Sequence, residues 1–227
     1  MDKCRLIVSG RGTGPGNMAL DEALFIARGE DSGLPSVFRI YCWENPCVTI
    51  GYFQKYADFK TSALPVTRRL TGGLAVTHKS DISYSFITAE QDWPYVYDQE
   101  KTYQVIHSGI KEGLSLLGLN PEFYVDQKAS TNPSLCVKTF FPHDVHIKGR
   151  KVVGSSQRRR GKVLLQQGSI HLQDQFSFNE VAAALAKGWE KVLRTTLFTT
   201  EPEARELELA AVLFREKYSS SSWNEKF

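Results

Sequence analysis

The sequence predicts an α+β fold, with a mostly antiparallel sheet and flanking helices. Two observations carry that expectation. Strand-like segments come in pairs joined by turn residues: 37–43 with 47–53 around Glu44–Asn45–Pro46, and 144–153 folding back at Lys148–Gly149. Helical patterns stand singly between the pairs, without the regular strand–helix–strand alternation that builds a parallel sheet.

The elements follow in chain order. Residues 5–9 are a short apolar strand, and Gly10, Gly12, Gly14 and Gly16 with Pro15 form a loop. Asn17 can cap the next helix, about 18–28, because its side-chain oxygen can accept from an exposed amide. That helix spaces Met18, Leu20, Leu24 and Ala27 along one face, with Asp21 and Glu22 in its first turn. Residues 74–78 and 82–88 form another strand pair. Between Glu100 and Leu117, the residues Tyr103, Ile106, Ile110, Leu114 and Leu117 recur at steps of three and four, an amphipathic helix closed by Gly118. Residues 122–126 read as a strand, 127–143 as a loop containing Pro133 and Pro142, and 162–172 as a further strand. A helix follows Ser177–Phe178–Asn179 to about Arg194, and Leu207, Ala210, Ala211, Phe214 and Tyr218 define a last one. Residues 1–227 read as one domain, with 219–227 a frayed tail.

Composition narrows the function classes. The net charge of +3, from 28 basic and 25 acidic residues, does not call for nucleic acid. No apolar run approaches the ~20 residues that cross a bilayer, so no membrane partner is expected. The start MDKCRLIVSG lacks the apolar core of a secretory signal, and the chain reads as cytoplasmic, where thiols stay reduced. Cys4, Cys42 and Cys47 read as buried and inert, and the four cysteines fit no zinc spacing. His143 and His146 point to opposite faces if they lie on a strand, so they share no metal. The dense run Arg158–Arg159–Arg160 reads as a solvated hairpin tip, or as a docking patch for an acidic partner.

Three segments carry candidate chemistry. In Arg68–Arg69–Leu–Thr–Gly72–Gly73, the glycines allow backbone to approach a ligand, and the amides of Leu74, Ala75, Val76 and Thr77 can face an anion or an acyl carbonyl. Arg69 offers a planar donor, and His78 is structural or a general base. Without a ligand, the same segment would be a tight hairpin with two surface arginines. In Gly149–Arg150–Lys151–Val–Val–Gly154–Ser155, Lys151 opens a strand and can hold a carbonyl oxygen or a phosphate, while Gly154 and the small serines leave room for a chain-like ligand. Cys136 sits in a loop between two prolines, where a thiolate would need nearby positive charge, from Lys151 or a histidine. The Gly10–Gly16 run lacks the end of a phosphate loop and reads as a structural turn.

Four segments in order resemble the lipoate–protein ligase A / octanoyltransferase family, which shares a catalytic domain with biotin–protein ligases. They are Asn17–Leu24, Arg68–His78 with Asp81–Phe86, Asp144–Gln157, and Leu165–Leu172. The resemblance implies the biotin/lipoate protein ligase catalytic-domain fold over nearly the whole chain. It also implies an acyltransferase or ligase that modifies a lysine of lipoyl-domain acceptor proteins. Two chemistries compete within the family. Octanoyltransferases take octanoate from acyl carrier protein onto a cysteine and need no cofactor. Ligases activate free lipoate with ATP and Mg. Cys136, at its spacing from Lys151, and Asp81–Ile–Ser–Tyr–Ser resemble the transferases. Leu74 stands where many ligases have a third glycine, Gln167 where both branches commonly have histidine, and Lys79 where aspartate is frequent. The transferase, with Cys136 and Lys151 catalytic, is the preferred expectation; an ATP-dependent ligase and a non-catalytic carrier-binding module are the alternatives.

Overall fold

The structure, a computed structural model, describes residues 3–93, 95, 97–124, 142–172 and 175–227. Its large sheet runs, edge to edge, through β11 (Thr196–Thr199), β1 (Lys3–Gly12), β2 (Ser36–Trp43), β6 (Ile82–Ala89), β10 (Val163–Ile170), β9 (Arg150–Arg160), β8 (Val145–Ile147) and β7 (Glu122–Phe123). A small sheet has the order β4 (Val66–Arg68), β3 (Cys47–Ile50), β5 (Val76–His78). In the large sheet only β1 pairs parallel, with β2 and β11. The helices are α1 (Gly14–Glu30), α2 (Gln99–Leu116), α3 (Phe178–Leu193), α4 (Ala204–Leu213) and the short α5 (Ser221–Asn224). This is the α+β class that the strand pairs and lone helices imply.

Strand periodicity of two gives the large sheet two different faces. Phe38, Ile40, Tyr84, Phe86, Val153 and Ile170 face one way and pack with Ile106, Ile110 and Leu114 of α2 and Val181, Leu185 and Trp189 of α3. On the other face, Val37, Ile87 and Leu165 are covered by Leu24 and Phe25 of α1. Beyond the reach of those side chains, this second face changes character. The register sets Arg39, Ser85, Gln167 and Ser156 in one row across four strands, and Tyr41, Ser83, Ser169 and Gly154 in the next. Small and polar residues replace large apolar ones there, and a space opens between this part of the sheet and the small sheet.

Several local expectations change. Residues 37–43 and 47–50 do not pair as a hairpin around Glu44–Asn45–Pro46: β2 belongs to the large sheet and β3 to the small one. The same holds for 76–78 and 82–89, so both turns carry the chain between sheets. The first helix starts four residues early and is capped by Thr13, whose Oγ1 accepts from the Gly16 amide. Asn17 lies inside it and donates from Nδ2 to the carbonyls of Gly12 and Cys42. Asp21 and Glu22 therefore sit in the helix interior, both buried. In the last helical region, Leu207 and Phe214 are exposed; the region is tied down instead by Glu206, which accepts from both terminal nitrogens of Arg5 at 2.7 and 2.8 Å.

Residues 219–227 are not frayed. Arg68, wholly buried, donates to the carbonyls of Gly51, Tyr52 and Gln54 and to those of Trp223 and Asn224. The Asn224 side chain accepts from the Arg68 amide, and the Trp223 indole donates to the Arg68 carbonyl. One guanidinium thus binds the 51–54 loop to the C-terminal segment. Arg68→Met is expected to lower the unfolding free energy by about 3 kcal/mol, because several buried carbonyls lose their donor together. Urea denaturation followed by tryptophan fluorescence checks this, and an unchanged midpoint would show that the clamp does not contribute.

Candidate active site

The space between the sheets is lined by Met18, Tyr41, Trp43, Leu74 and Val76 and by the polar residues Thr49, Ser83, Gln167 and Ser169. It is narrow, with a cavity volume of about 50 Å³. Gly154, in the same row as Ser83 and Ser169, keeps the sheet wall low, while Gly168 makes room for the Tyr84 ring on the opposite face. A second space, lined by Gly72, Gln99, Tyr103, Pro142 and Asp144, shares Gly73, Ser155 and Ser156 with the first. Those three residues mark the junction.

Arg69 lines the cavity at this junction, and its guanidinium also holds the turn in place. It is buried, and its guanidinium donates to the Thr49 carbonyl and hydroxyl and to the carbonyls of Gly72 and Leu74. Those bonds bend the turn into place, with Gly73 at φ +80°, a conformation that glycine adopts at no steric cost. Arg68 is equally buried, so the expectation of two surface arginines fails. Both guanidiniums are used to satisfy backbone carbonyls.

The turn is also held from the sheet side. Gln167 donates to Asp21 Oδ2 at 2.7 Å and accepts from Thr71 Oγ1 at 2.8 Å, and Ser156 Oγ donates to Thr71 Oγ1 at 3.0 Å. Asp21 accepts in addition from Arg39, Tyr41 and Ser85, so this carboxylate receives four hydrogen bonds without water. A fully satisfied buried network of this kind fixes its members rigidly. Gln167 occupies the position where the resemblance led us to expect histidine, and here it is a bridge between α1 and the glycine turn.

His78 lines the cavity but both of its nitrogens are engaged. Nδ1 lies 2.7 Å from Asp81 Oδ2 and Nε2 2.8 Å from Thr49 Oγ1, and the ring stacks on Trp43 at 3.7 Å. Burial alone would raise the Asp81 pKa, but the His78 ring and the Lys79 amide hold it below the usual carboxylate range. The arrangement makes His78 structural. Val76 and Leu74 line the cavity, Ala75 packs inward against Val48 and Ile50, and Thr77 borders a separate space with Lys79, Arg150 and Lys151.

Lys151 departs from the exposed position ordinary for a lysine at a strand start. The β8–β9 turn at Lys148 and Gly149, both at positive φ, sends it inward, and its Nζ lies 2.6 Å from Asp144 Oδ2 with both side chains buried. An ammonium in such a place is worth keeping only beside a carboxylate. Asp144 borders the second space, while Lys151 borders the separate one with Thr77, Lys79 and Arg150. The sequence marks Asp144 only as the start of the segment Asp144–Gln157; its place beside Lys151 follows from the pairing of β8 with β9.

Cys136 lies outside the described residues. Of the other thiols, burial pushes Cys47 up to about 12, with Asp81 adding to the rise, and burial also raises Cys4 and Cys42. None of these three is a thiolate at neutral pH. The arginine run forms the end of β9: Arg158 lies over the Tyr52 ring and Arg159 over Tyr95, and only Arg160 of the three is fully exposed.

One ionisable group went unnoticed in the sequence. His107 falls on the buried stripe of α2 beside Ile106 and Ile110, and a polar residue on an apolar helix face was the available signal. Burial depresses its pKa to about 4. A histidine with a folded pKa below its unfolded value binds a proton more readily when unfolded. Stability is therefore complete above pH ~6.5 and is lost as pH falls toward 4, by up to about 3 kcal/mol from this group alone. Half-buried His171, also depressed mainly by desolvation, acts in the same direction. Urea unfolding at pH 7.5 and at pH ~4.5 checks the sign; equal stability at the two values would contradict it.

Residues 14–196 match the family described as the lipoyl protein ligase A/B catalytic domain. The chain is 32% identical to octanoyltransferase LipM of Anoxybacillus flavithermus, with 98% of each chain covered, and 30% identical to octanoyltransferase LipM of Bacillus subtilis, again with 98% of each covered. Its fold is similar to a lipoate-protein ligase A crystallised with ATP, at a TM-score of 0.81 and 22% identity over 99% of both chains. It is also similar to the bi-partite lipoate protein ligase of Thermoplasma acidophilum, studied with its E2 lipoyl domain, at 0.78 and 21% over 99% of this chain and 97% of that one. The length and identity of the sequence matches show that this chain belongs to the lipoyl protein ligase A/B catalytic domain family and is an enzyme of protein lipoylation.

Proposed function

We propose that the protein, with residues 1–227 as one catalytic unit, moves an octanoyl group from acyl carrier protein to a lysine of a lipoyl-domain protein through a thioester on Cys136. The observation that carries this reading is the apolar cavity under Met18, Tyr41, Trp43, Leu74 and Val76, which meets the space bordered by Asp144, the partner of Lys151. Each octanoyl methylene buried there contributes about 0.8 kcal/mol, enough to select a medium-length chain. The relatives at about this identity are octanoyltransferases by name.

In the first half-reaction the Cys136 thiolate forms a C–S bond to the acyl carbon, the carrier's C–S bond breaks, and the carrier leaves as a thiol. In the second, the lysine amine forms the amide bond and Cys136 departs. Lys151 donates to the carbonyl oxygen as it gains negative charge in both halves, and the amides of the Gly72–Leu74 turn stand at the same junction. Leu74 supplies apolar wall at the position where many ligases have glycine.

The alternative is an ATP-dependent lipoate ligase. One observation favours it: Lys79, Arg150 and Lys151 border a common space, a setting that suits phosphates. Among the described residues no three His, Cys, Asp or Glu side chains gather to hold a metal, so no residue is assigned to magnesium. Also among these residues, no helix is long and apolar enough to cross a membrane. Offering a lipoyl domain octanoyl carrier in one tube and lipoate with ATP in another separates the readings. Labelling from the carrier alone is expected; labelling only with ATP would give the case to the ligase.

A further inference from the structure

The proposed chemistry leaves unused an aromatic and basic face beside the glycine turn. Phe53 and Phe227 are 73% and 48% exposed, and both rings lie against Tyr52, at centroid distances of 4.8 and 5.8 Å. Two cations border these rings. The Arg158 guanidinium stands 5.2 Å from the Tyr52 centroid, and Lys226 Nζ donates to Tyr52 Oη at 3.1 Å. Neither makes an ion pair among the described residues, and Arg158 Nε is buried with no partner. The acids of the same segments, Asp58 and Glu225, are exposed and offset neither cation by an ion pair. Arg159, by contrast, turns to the other side of β9, toward Thr102 and Tyr95.

This face adjoins the site. Gly51 packs so closely on Gly73 that a Cβ there would meet its carbonyl oxygen, and the Tyr52 amide donates to the Thr71 carbonyl at 2.9 Å. On β9, Ser156 at the junction and Arg158 are two residues apart and so share one face of the sheet. A protein seated on Phe53 and Arg158 therefore stands at the rim of the junction. Aromatic rings and arginines are the side chains most enriched where proteins meet.

We infer that this face receives the acyl carrier protein, with Arg158 meeting an acidic part of the carrier's surface and Phe53 an apolar spot beside it. The inference rests on the reading that a carrier is the acyl donor. Charge selects the carrier over the other protein substrate. A lipoyl domain must deliver a lysine, and uncompensated cations at the rim repel its ammonium. A carrier tethers its thioester through a phosphodiester, so its surface around the tether is already anionic, and carboxylates there complement Arg158 and Lys226. Exposed ion pairs alone contribute little. The two rings supply apolar area to bury, and the cations speed encounter and choose the partner.

The test loads the intact enzyme from octanoyl carrier protein and, separately, from octanoyl-pantetheine, which has neither protein nor phosphate. Arg158→Glu is expected to lower the second-order rate of loading from the carrier at least about tenfold, and Phe53→Ser by a similar factor. Loading from octanoyl-pantetheine, and transfer from the loaded enzyme to a lipoyl domain, should stay within about twofold of the unaltered enzyme. Added salt should slow carrier loading of the unaltered enzyme and leave Arg158→Glu nearly unaffected. Circular dichroism establishes that each variant is folded. Native-rate loading from the carrier in both variants, an equal loss with octanoyl-pantetheine, or a loss confined to lipoyl-domain transfer would overturn the inference. No loading of the unaltered enzyme from the carrier would instead remove the reading on which it rests.

Discussion

Cys136→Ser is expected to lose octanoyl transfer from a carrier thioester by at least about a thousandfold, and to lose any hydroxylamine-sensitive acyl-enzyme. A serine hydroxyl is a poor nucleophile without a general base, whereas a thiol a few per cent ionised already reacts. The variant separates the two chemistries more sharply than any other single change. An ATP-dependent ligase would tolerate it, because the acyl group would then pass through an adenylate and never onto sulfur. Rates from both donors, measured by mass spectrometry of the lipoyl domain, give the answer. Full transfer from the carrier in this variant would exclude covalent catalysis through Cys136.

Lys151→Ala carries the second large effect, and it acts on both activity and stability. Loss of one preorganised donor at a developing oxyanion typically costs about 10² to 10³ in rate. Both donors should suffer alike, since each route passes through a tetrahedral oxygen. The same change removes the ammonium 2.6 Å from a buried Asp144 carboxylate. Breaking a buried pair by removing one partner costs about 3–5 kcal/mol. Denaturation curves and assays well below the melting temperature keep the two consequences apart. A variant that melts early but transfers at the native rate would assign Lys151 to structure alone.

The helices were legible because their periodicity is local. The apolar steps from Tyr103 to Leu117 and the stop at Gly118 gave α2, and Ser177 gave the start of α3. Strand pairing was less legible because the partner of a strand is not written in the turn that leaves it. Glu44–Asn45–Pro46 reads as a hairpin turn, but β3 finds its partners in β4 and β5. The burial of Arg68 and Arg69 was hidden for a related reason. Each of these two goes inside because several carbonyls converge on it, and for Arg68 they come from residues up to 156 positions away. The tail reads as frayed, yet it supplies part of that convergence for Arg68 through Trp223 and Asn224.

At the site, the sequence singled out the glycine turn, Lys151 and the small residues Gly154 and Ser155; the turn, Gly154 and Ser155 line one cavity, while Lys151 borders a separate space. The sequence did not foresee that the Arg69 guanidinium would be occupied by the carbonyls of Thr49, Gly72 and Leu74. Nor did it foresee Asp144 as the partner of Lys151, or His107 within hydrogen-bond distance of Ser155. Those pairings depend on strand register and on how α2 lies against the sheet, which no local pattern encodes.

The intact mass of the enzyme after brief exposure to an octanoyl thioester, with no acceptor present, tests the central claim most directly. The proposal predicts a gain of one octanoyl group, removed by hydroxylamine and mapped to the peptide that contains Cys136. An unmodified enzyme that still transfers octanoate once the lipoyl domain is added would contradict it.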